Sequence, residues 1–198
     1  MRLLPILSNT LINLTTSPTG NVKPLSKLRY EASLDDIHRP LLKSLLQFPG
    51  IKRIFKTLLK LETARQLTNK NRDIFMAQNK QTVIGEIDLM PYKRPILQPL
   101  IRNYRNKKTA YLENFAVLKN YRGQGVGKYL LNTAEQQAKQ QGFEEIIFPC
   151  SKKNRPLYEH LGYQSVKHPL LRLWLRWPLP NLLLLKSLGY SELMRKNL

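Results

Sequence analysis

Apolar positions along the chain repeat with two periods, one of two residues and one of about 3.6, and they predict alternating strands and helices. Strand patterns occur at 28–33, 73–77, 82–89, 110–118, 146–150, 163–166 and 191–196. Helical patterns run from Ser33 or Asp35 to about Gln47, and then over 51–68 and 126–141. A shorter helix is expected after Asn154, which we interpret as its cap. Alternating elements of this kind indicate an α/β or α+β fold with helices on the faces of one sheet.

Turn-forming residues support most of these boundaries. Pro49 and Gly50 are expected to stop the first helix, and residues 78–81 are expected to close a hairpin. Gly142 and Gly162 follow two of the predicted helices, where a residue that tolerates positive φ is favoured.

The helix predicted at 51–68 is basic and amphipathic. Its apolar face holds Ile51, Ile54, Phe55, Leu58 and Leu59, and most of its basic residues lie elsewhere on its surface. This pattern is typical of a helix that packs on a sheet, which is the interpretation we favour. The alternative is a helix that binds a membrane surface.

Two segments interrupt the pattern of elements. Residues 91–109 contain three prolines, six basic residues and no acid, which predicts a long basic loop. Residues 168–188 are rich in leucine, tryptophan and arginine, and their prolines exclude one long helix. The second segment is expected to be a hairpin over the sheet, a partner or dimer surface, a lid, or a membrane contact.

The N-terminal residues 1–24 form a third exception, with two basic residues, six serines and threonines, and no acid. We expect a tail there, either flexible or an organellar targeting segment. The remainder, 25–198, is expected to be one domain with insertions at about 91–109 and 168–188. The predicted location is cytoplasmic, or organellar if residues 1–24 are a targeting segment.

Composition narrows the function classes. The chain has 198 residues and one cysteine, Cys150, so no intramolecular disulfide can form. The three histidines are scattered and lack the spacing of zinc ligands. No apolar run is long enough for an ordinary transmembrane helix. The net charge is +20, although residues 110–163 are nearly neutral. A partner attracted by this charge, such as an anionic membrane or ribosomal RNA, would contact the flanks, and no RNA-binding motif is present.

The segment 110–128 carries the strongest chemical signal. A predicted strand leads into a loop with Gly123, Gly125 and Gly127, and a helix follows. Glycines let the backbone approach an anion closely, and the amides at a helix N-terminus favour negative charge. Arg122 and Lys128 flank this loop, so we expect a polyphosphate site. Neither the Walker sequence nor the dinucleotide-binding glycine spacing is present.

The run Arg122-Gly123-Gln124-Gly125-Val126-Gly127 resembles the signature Arg/Gln-x-x-Gly-x-Gly/Ala of the GCN5-related N-acetyltransferase (GNAT) superfamily. Residues 154–163 resemble the family's next helix, and 28–36 resemble its first strand and the start of its first helix. The resemblance implies a mixed, mostly antiparallel central sheet with helices on both faces. It also implies acetyl-CoA as the co-substrate, held by residues that match the family pattern: Val117, Leu118, Arg122, Gly123, Gln124, Gly125, Val126, Gly127, Lys128 and Asn154.

The same resemblance implies direct acetyl transfer to an amine. Tyr158 stands where the family has a phenol near the thioester sulfur, and an ordinary phenol has a pKa of about 10 and stays protonated. The sequence around Glu113 is similar to that of diamine acetyltransferases, which makes Glu113 a candidate base. Asn114 replaces the acid of that subgroup, so polyamine specificity is in doubt. The N–H of Val117 is a candidate to polarise the thioester carbonyl.

Strand alternation predicts that Glu113, Phe115 and Val117 share one face of the sheet. The alternative roles are an exposed surface glutamate for Glu113 and a core tyrosine for Tyr158. Cys150 is expected to be a buried structural thiol, and no metal is required.

The prediction is therefore an N-acetyltransferase that uses acetyl-CoA and an amine of a small molecule or a protein. A homodimer is one possible assembly. The alternatives are a non-catalytic acyl-CoA-binding module and a cationic adaptor that docks on nucleic acid or a membrane.

Overall fold

The structure is a computed structural model that describes residues 10–15, 22–36, 44–80, 82–92, 108–166 and 190–198. The strands are β1 (Thr10–Thr15), β2 (Asp73–Asn79), β3 (Thr82–Pro91), β4 (Thr109–Val117), β5 (Glu145–Ser151), β6 (Gln164–Ser165) and β7 (Tyr190–Asn197). The helices are α1 (Val22–Asp36), α2 (Pro49–Leu67), α3 (Val126–Gln140) and α4 (Arg155–His160), with a 3-10 turn at Lys119–Tyr121.

The strands form one sheet of seven in the order β1-β2-β3-β4-β5-β7-β6. All neighbours are antiparallel except β4 and β5, which run parallel. This arrangement confirms the predicted α+β class with a mostly antiparallel sheet.

The two faces of the sheet are covered by different helices. Along β2, Phe75 and Ala77 pack with α3 and α4, whereas Ile74 and Met76 pack with α1 and the C-terminal end of α2. The buried residues of α3 repeat at helical spacing and form the larger core: Val126, Leu130, Leu131, Ala134 and Ala138. The continuous apolar run of β2, buried on both faces, and the 3.6-residue pattern of α3 are both visible in the sequence.

From residue 73 onward the predicted elements are confirmed. The hairpin of β2 and β3, the strand before the glycine loop, α3, β5, α4 and the last strand all lie within a few residues of their predicted bounds. Gly142 and Gly162 follow α3 and α4 with φ of 73° and 86°, as expected of glycines that end helices.

The N-terminal part of the prediction is wrong. Residues 28–33, predicted as a strand, belong to α1, because Leu25, Leu28, Arg29 and Ala32 are buried at spacings of three, four and seven residues. The first strand is instead Thr10–Thr15, which pairs with β2 at the edge of the sheet. Within the segment predicted as a tail, 1–24, the structure describes β1 and the start of α1.

The predicted break in the helix before Pro49 is confirmed, because residues 44–45 are helical, 46–48 form a turn, and the Phe48 N–H donates to the Leu45 carbonyl at 3.1 Å. Pro49 begins α2, where the missing N–H costs nothing because the first helical positions have no intrahelical acceptor. Of the two predicted insertions, the segment 93–107 of the first (91–109) and all of the second (168–188) lie outside the described residues.

None of the helices in the described ranges is both long and apolar enough to cross a membrane.

Gly85 of β3 is the tightest glycine position in the sheet. An added Cβ would lie 3.0 Å from Leu130 Cδ1 and 3.1 Å from the Ala116 carbonyl oxygen. We expect Gly85→Ala to lower the free energy of unfolding by about 1–3 kcal/mol, measured by urea denaturation. Gly50→Ala is the control, because its Cβ would meet nothing within 4 Å, and it should be neutral or stabilising. Equal losses in both variants would contradict this account of the core.

Candidate functional site

The sheet opens between β4 and β5. The two strands pair only at Thr109–Glu145, Ala110–Ile146 and Tyr111–Ile147, although both continue for several residues beyond these pairs. At the closed end, the Thr109 hydroxyl donates to the Glu145 carboxylate at 2.6 Å. Past Tyr111, β4 therefore has an edge inside the sheet with which no other described strand pairs.

Val117 directs its amide into this opening. Val117 lies opposite Gly85, and the next bond of the ladder runs from the Leu118 N–H to the Ile84 carbonyl at 2.9 Å. Gly85 and Val117 are thus a non-hydrogen-bonded pair, so the backbone groups of Val117 point away from β3. The position agrees with the role predicted for the Val117 N–H.

The backbone of Leu118, by contrast, is already hydrogen-bonded within the protein. Its N–H donates to Ile84, and its carbonyl accepts from Tyr121 at 2.8 Å. Its side chain packs with the core on the α1 side of the sheet. Any contact of Leu118 with a co-substrate would therefore use atoms other than its amide, because β3 already uses that donor.

The glycine loop lies directly after this strand end. Gly123 and Gly125 have φ of 75° and 85°, and Gly125 is the N-cap of α3. These conformations are open to glycine and costly for other residues. The first-turn amides of α3 have no intrahelical acceptors, which leaves them to bind an anion.

The remaining predicted loop residues have distinct positions. Arg122 is exposed and donates from Nε to the Val117 carbonyl at 2.8 Å, while Gln124 donates to the Asn120 carbonyl at 2.9 Å. Lys128 is exposed on the first turn of α3, and the Val126 side chain is buried in the core. Arg122 thus connects the glycine loop to the end of β4.

Gly127 lies on the side of α3 that faces β4. A Cβ there would lie 3.4 Å from Phe115 Cζ and 3.6 Å from Val117 Cγ2, which are ordinary contact distances. Helix–strand packing therefore does not require glycine at this position, whereas the positive φ of Gly123 and Gly125 does favour glycine in the loop.

Tyr158 of α4 lies at the opening on the α3 side of the sheet. Its ring centroid is 4.7 Å from that of Phe148 on β5 and 6.3 Å from that of Phe115 on β4. The side chain is buried, with 7% of its surface exposed. Tyr158 therefore contacts both strands that border the gap.

Asn154 is at the N-cap position of α4, as predicted, but its side chain makes no capping hydrogen bond. Its N–H donates to the Ser151 carbonyl at 3.0 Å. The side-chain amide is half-buried and is not engaged in a cap, so it can contact a ligand.

The predicted alternation along β4 fails at Asn114. Asn114 has φ of 51°, and the register with β3 shifts between Glu86 and Asp88, which identifies a β-bulge. The bulge turns Glu113 and Asn114 to the α1 side, while Phe115 and Val117 pack on the α3 side. Glu113 consequently does not share a face with Phe115 and Val117.

Glu113 is held there by an ion pair. Arg72 donates from Nη2 to Glu113 at 2.9 Å and from Nη1 to Asp88 at 2.5 Å. The Glu113 side chain is 21% exposed, so solvent still reaches it. A carboxylate that is held in place and still reached by solvent can act as a proton acceptor.

Sequence reasoning missed the buried cluster behind Glu113. Glu86 and Asp88 on β3 are fully buried, and Arg29 of α1 donates to them at 2.7 and 3.3 Å. Asn114 donates to Asp88 at 2.6 Å and to Gln66 of α2 at 2.8 Å. The sequence feature that could have revealed this cluster is a pair of acidic residues at alternate positions in an otherwise apolar strand.

The cluster has more carboxyl groups than cations. With Arg29 and Arg72 charged, ionisation of Glu86, Asp88 and Glu113 together would leave one net negative charge in the interior. Burial raises the pKa of Glu86 to about 8 and also raises that of Asp88. A proton on Glu86 makes the cluster electrically neutral.

Cys150 is buried at the end of β5, and burial raises the pKa of its thiol to about 12. That favours the inert protonated thiol, in agreement with the structural role predicted for it. Among the residues that the structure describes, no group of His, Cys, Asp and Glu side chains could hold a metal ion.

The glycine motif implies an acyltransferase. The structure shows the features expected of its site: two strands that separate, a strand amide that faces the gap, and a glycine loop at the start of a helix. The family model of the Acetyltransferase (GNAT) family matches residues 41–163. The chain belongs to this family.

Two curated relatives show how far the likeness extends. Human N-acetyltransferase 8B is 27% identical over 105 residues, which cover 52% of this chain and 43% of that protein. GCN5-related N-acetyltransferase 4, chloroplastic, of Arabidopsis thaliana is 34% identical over 96 residues, covering 47% of this chain and 31% of its own length. The chain thus spans less than half the length of these curated relatives.

Solved structures support the fold. The PaiA N-acetyltransferase of Thermoplasma acidophilum, in complex with coenzyme A, superposes with a TM-score of 0.61 over 95% of this chain and 99% of that one. A predicted acetyltransferase of Clostridium acetobutylicum, solved with acetyl-CoA, gives 0.60 over 87% and 97%. The sequence identities are 17% and 18%, so these likenesses establish the fold alone.

The raised pKa of Glu86 predicts a specific dependence of stability on pH. The folded state binds this proton more tightly than the unfolded state, whose ordinary glutamate pKa is 4.5. This contribution to the free energy of unfolding is complete below about pH 4.5 and is lost as the pH rises through about 8, at up to about 1.4 kcal/mol per pH unit. Glu86→Gln should flatten this decline in urea denaturation at a series of pH values.

Glu159→Gln is the control, because Glu159 is an exposed glutamate on α4, and the slope should not change. An unchanged slope in Glu86→Gln would mean that Glu86 does not hold the proton.

Proposed function

We propose that this protein is an N-acetyltransferase that transfers the acetyl group of acetyl-CoA directly to an amine. The observation that carries the proposal is the Val117 amide, which faces the gap between β4 and β5 beside a glycine loop at a helix start. An unpaired strand edge suits the peptide-like pantetheine arm, and the loop suits the pyrophosphate.

The residues at this end of the sheet fit such a co-substrate. The amides of 123–128 and the cations of Arg122 and Lys128 would hold the phosphates, and the Asn154 side chain would contact the arm. Acetyl-CoA supplies an activated acyl group as a thioester. The Val117 N–H would donate to the carbonyl oxygen of that group, as in an oxyanion hole.

The proposed proton transfers use opposite sides of the sheet. The attacking amine loses a proton to Glu113, directly or through water, on the side covered by α1 and α2. The departing thiolate gains a proton from the Tyr158 hydroxyl, on the side covered by α3 and α4. One new C–N bond replaces the C–S bond, and each proton has a named donor or acceptor.

The acceptor is proposed to be an amine of a small molecule or a protein that reaches Glu113 from the α1 side. Asn114 does not offer itself to this acceptor, because its side-chain amide already bonds Asp88 and Gln66. This use of Asn114 inside the protein supports an acceptor other than a polyamine.

The phosphate-binding role of the loop can be tested with Gly125→Glu. The change adds bulk and a negative charge at the N-cap of α3, so we expect acetyl-CoA binding to be lost in calorimetric titration. Gly142→Glu is the matched control, since Gly142 has a similar φ of 73° but lies at the other end of α3. Both variants carry backbone strain, and only Gly125→Glu should lose binding. Equal acetyl-CoA affinity in the two variants would contradict the proposed phosphate-binding role of the glycine loop.

The proton-transfer roles can be tested with Tyr158→Phe and Glu113→Gln. Each should lower kcat by about a hundredfold or more, with little change in acetyl-CoA affinity, because each removes a group used only in the chemical step. The measurement is steady-state acetylation of an amine acceptor found by screening, together with calorimetric titration of acetyl-CoA.

Tyr163→Phe is the control for Tyr158. Tyr163 belongs to the same ring cluster, 6.2 Å from Tyr158, but its hydroxyl donates to Glu135 at 2.8 Å. Its loss should cost about 1 kcal/mol of stability and little turnover. Wild-type turnover in Tyr158→Phe would remove Tyr158 from the mechanism.

A further inference from the structure

The outer surface of α2 carries an apolar stripe. Large exposed hydrophobic side chains in the described part of the chain are concentrated between residues 45 and 61, with two others elsewhere: Leu45, Phe48, Ile51, Ile54, Leu58 and Leu61, against Tyr129 and Leu157. The four on α2 follow each other at intervals of three, four and three residues, so they lie on one side of the helix. We call these four residues the α2 stripe.

Among the described residues, the α2 stripe is exposed. The neighbouring side of α2 packs on α1, where the rings of Phe55 and Tyr30 are 5.9 Å apart and Arg29 donates to Thr63 at 3.3 Å. Phe55 is therefore half-buried, while Ile54 and Leu58 have 62% and 58% of their surface exposed. The apolar face predicted from sequence is thus divided, and only part of it packs on the protein.

The side of α2 that lies opposite the stripe is strongly basic. Helix α2 carries five basic residues and one acid, Glu62, which is paired with Arg65 at 2.8 Å. Lys56 and Lys60 of α2 line a groove of about 320 Å³ together with Lys23 and Lys27 of α1. Lys56 also lies 4.8 Å from the centre of the Tyr30 ring.

From this combination we infer that the α2 stripe docks on an anionic lipid surface. An amphipathic helix with apolar side chains on one face and lysines on the other lies in a membrane interface with its apolar face inserted. Anionic headgroups attract the lysines, with each basic residue near the surface adding to the affinity. This inference is independent of the acetyl-transfer reaction.

The basic charge of α2 and the apolar stripe together disfavour a protein copy or nucleic acid as the partner of this surface. A second copy of the chain on this face would bring two basic helices together, and like charges repel. Nucleic acid would satisfy the lysines but would leave the exposed isoleucines and leucines in water. An anionic lipid interface satisfies both parts of the surface.

The test is co-sedimentation of the full chain with vesicles of phosphatidylcholine alone and vesicles of equal parts phosphatidylcholine and phosphatidylglycerol. We expect binding to the anionic vesicles that weakens with salt, and at least tenfold weaker binding to the neutral ones. Ile54→Ser/Leu58→Ser should lower binding at least tenfold without a change in charge. Lys52→Gln/Lys60→Gln should lower binding to anionic vesicles while leaving the stripe intact.

Two further double variants each add two negative charges four residues apart, one on the α2 stripe and one, as the control, on α3. Ile54→Glu/Leu58→Glu should abolish binding, whereas Gln136→Glu/Gln140→Glu on the exposed side of α3 should largely retain it. Circular dichroism and acetyl-CoA titration verify that each variant is folded.

Three results would overturn the inference: no sedimentation with either vesicle, equal binding to both, or full binding by the stripe variants. A concentration-dependent dimer that Ile54→Glu/Leu58→Glu dissolves, without vesicle binding, would assign the stripe to a second copy instead.

Discussion

The early separation of β4 from β5 is the constraint on which the candidate site depends. Backbone groups in a sheet interior normally pair with a neighbouring strand, and leaving them unpaired is costly. Here the pairing stops after Tyr111 and Ile147, and the rings of Phe115, Phe148 and Tyr158 occupy the α3 side of the opening. The fold thereby keeps one strand edge ready for an extended ligand, beside the helix start that suits its phosphates.

The buried ion cluster solves a second problem, which is how to hold a carboxylate at the other side of this gap. The bulge at Asn114 turns Glu113 toward α1, and Asn114 fixes the bulge by donating to Asp88. Arg72 then joins Asp88 to Glu113. Buried ion pairs contribute little net stability, so the cluster is better explained by the position that it gives Glu113 than by the free energy of folding.

The sequence predicted those parts of the site that depend on neighbours along the chain. Glycines with positive φ, a helix start and the apolar period of α3 are local features, so the loop and its helix were predicted correctly. The bulge at Asn114 was missed because alternation assumes a regular strand. The cluster was missed because Arg29 meets Glu86 across 57 residues of sequence, a pairing that no local pattern specifies.

Helix α2 connects the two surfaces discussed here. Near its C-terminal end Gln66 bonds Asn114 and Arg29, and along its outer side the α2 stripe faces solvent. Both features lie on the face of the sheet toward which Glu113 turns. An amine that reaches Glu113 therefore approaches from the side of the molecule that carries the stripe. Docking of the α2 stripe on lipid would therefore put the proposed acceptor side of the sheet and the membrane on the same side of the molecule.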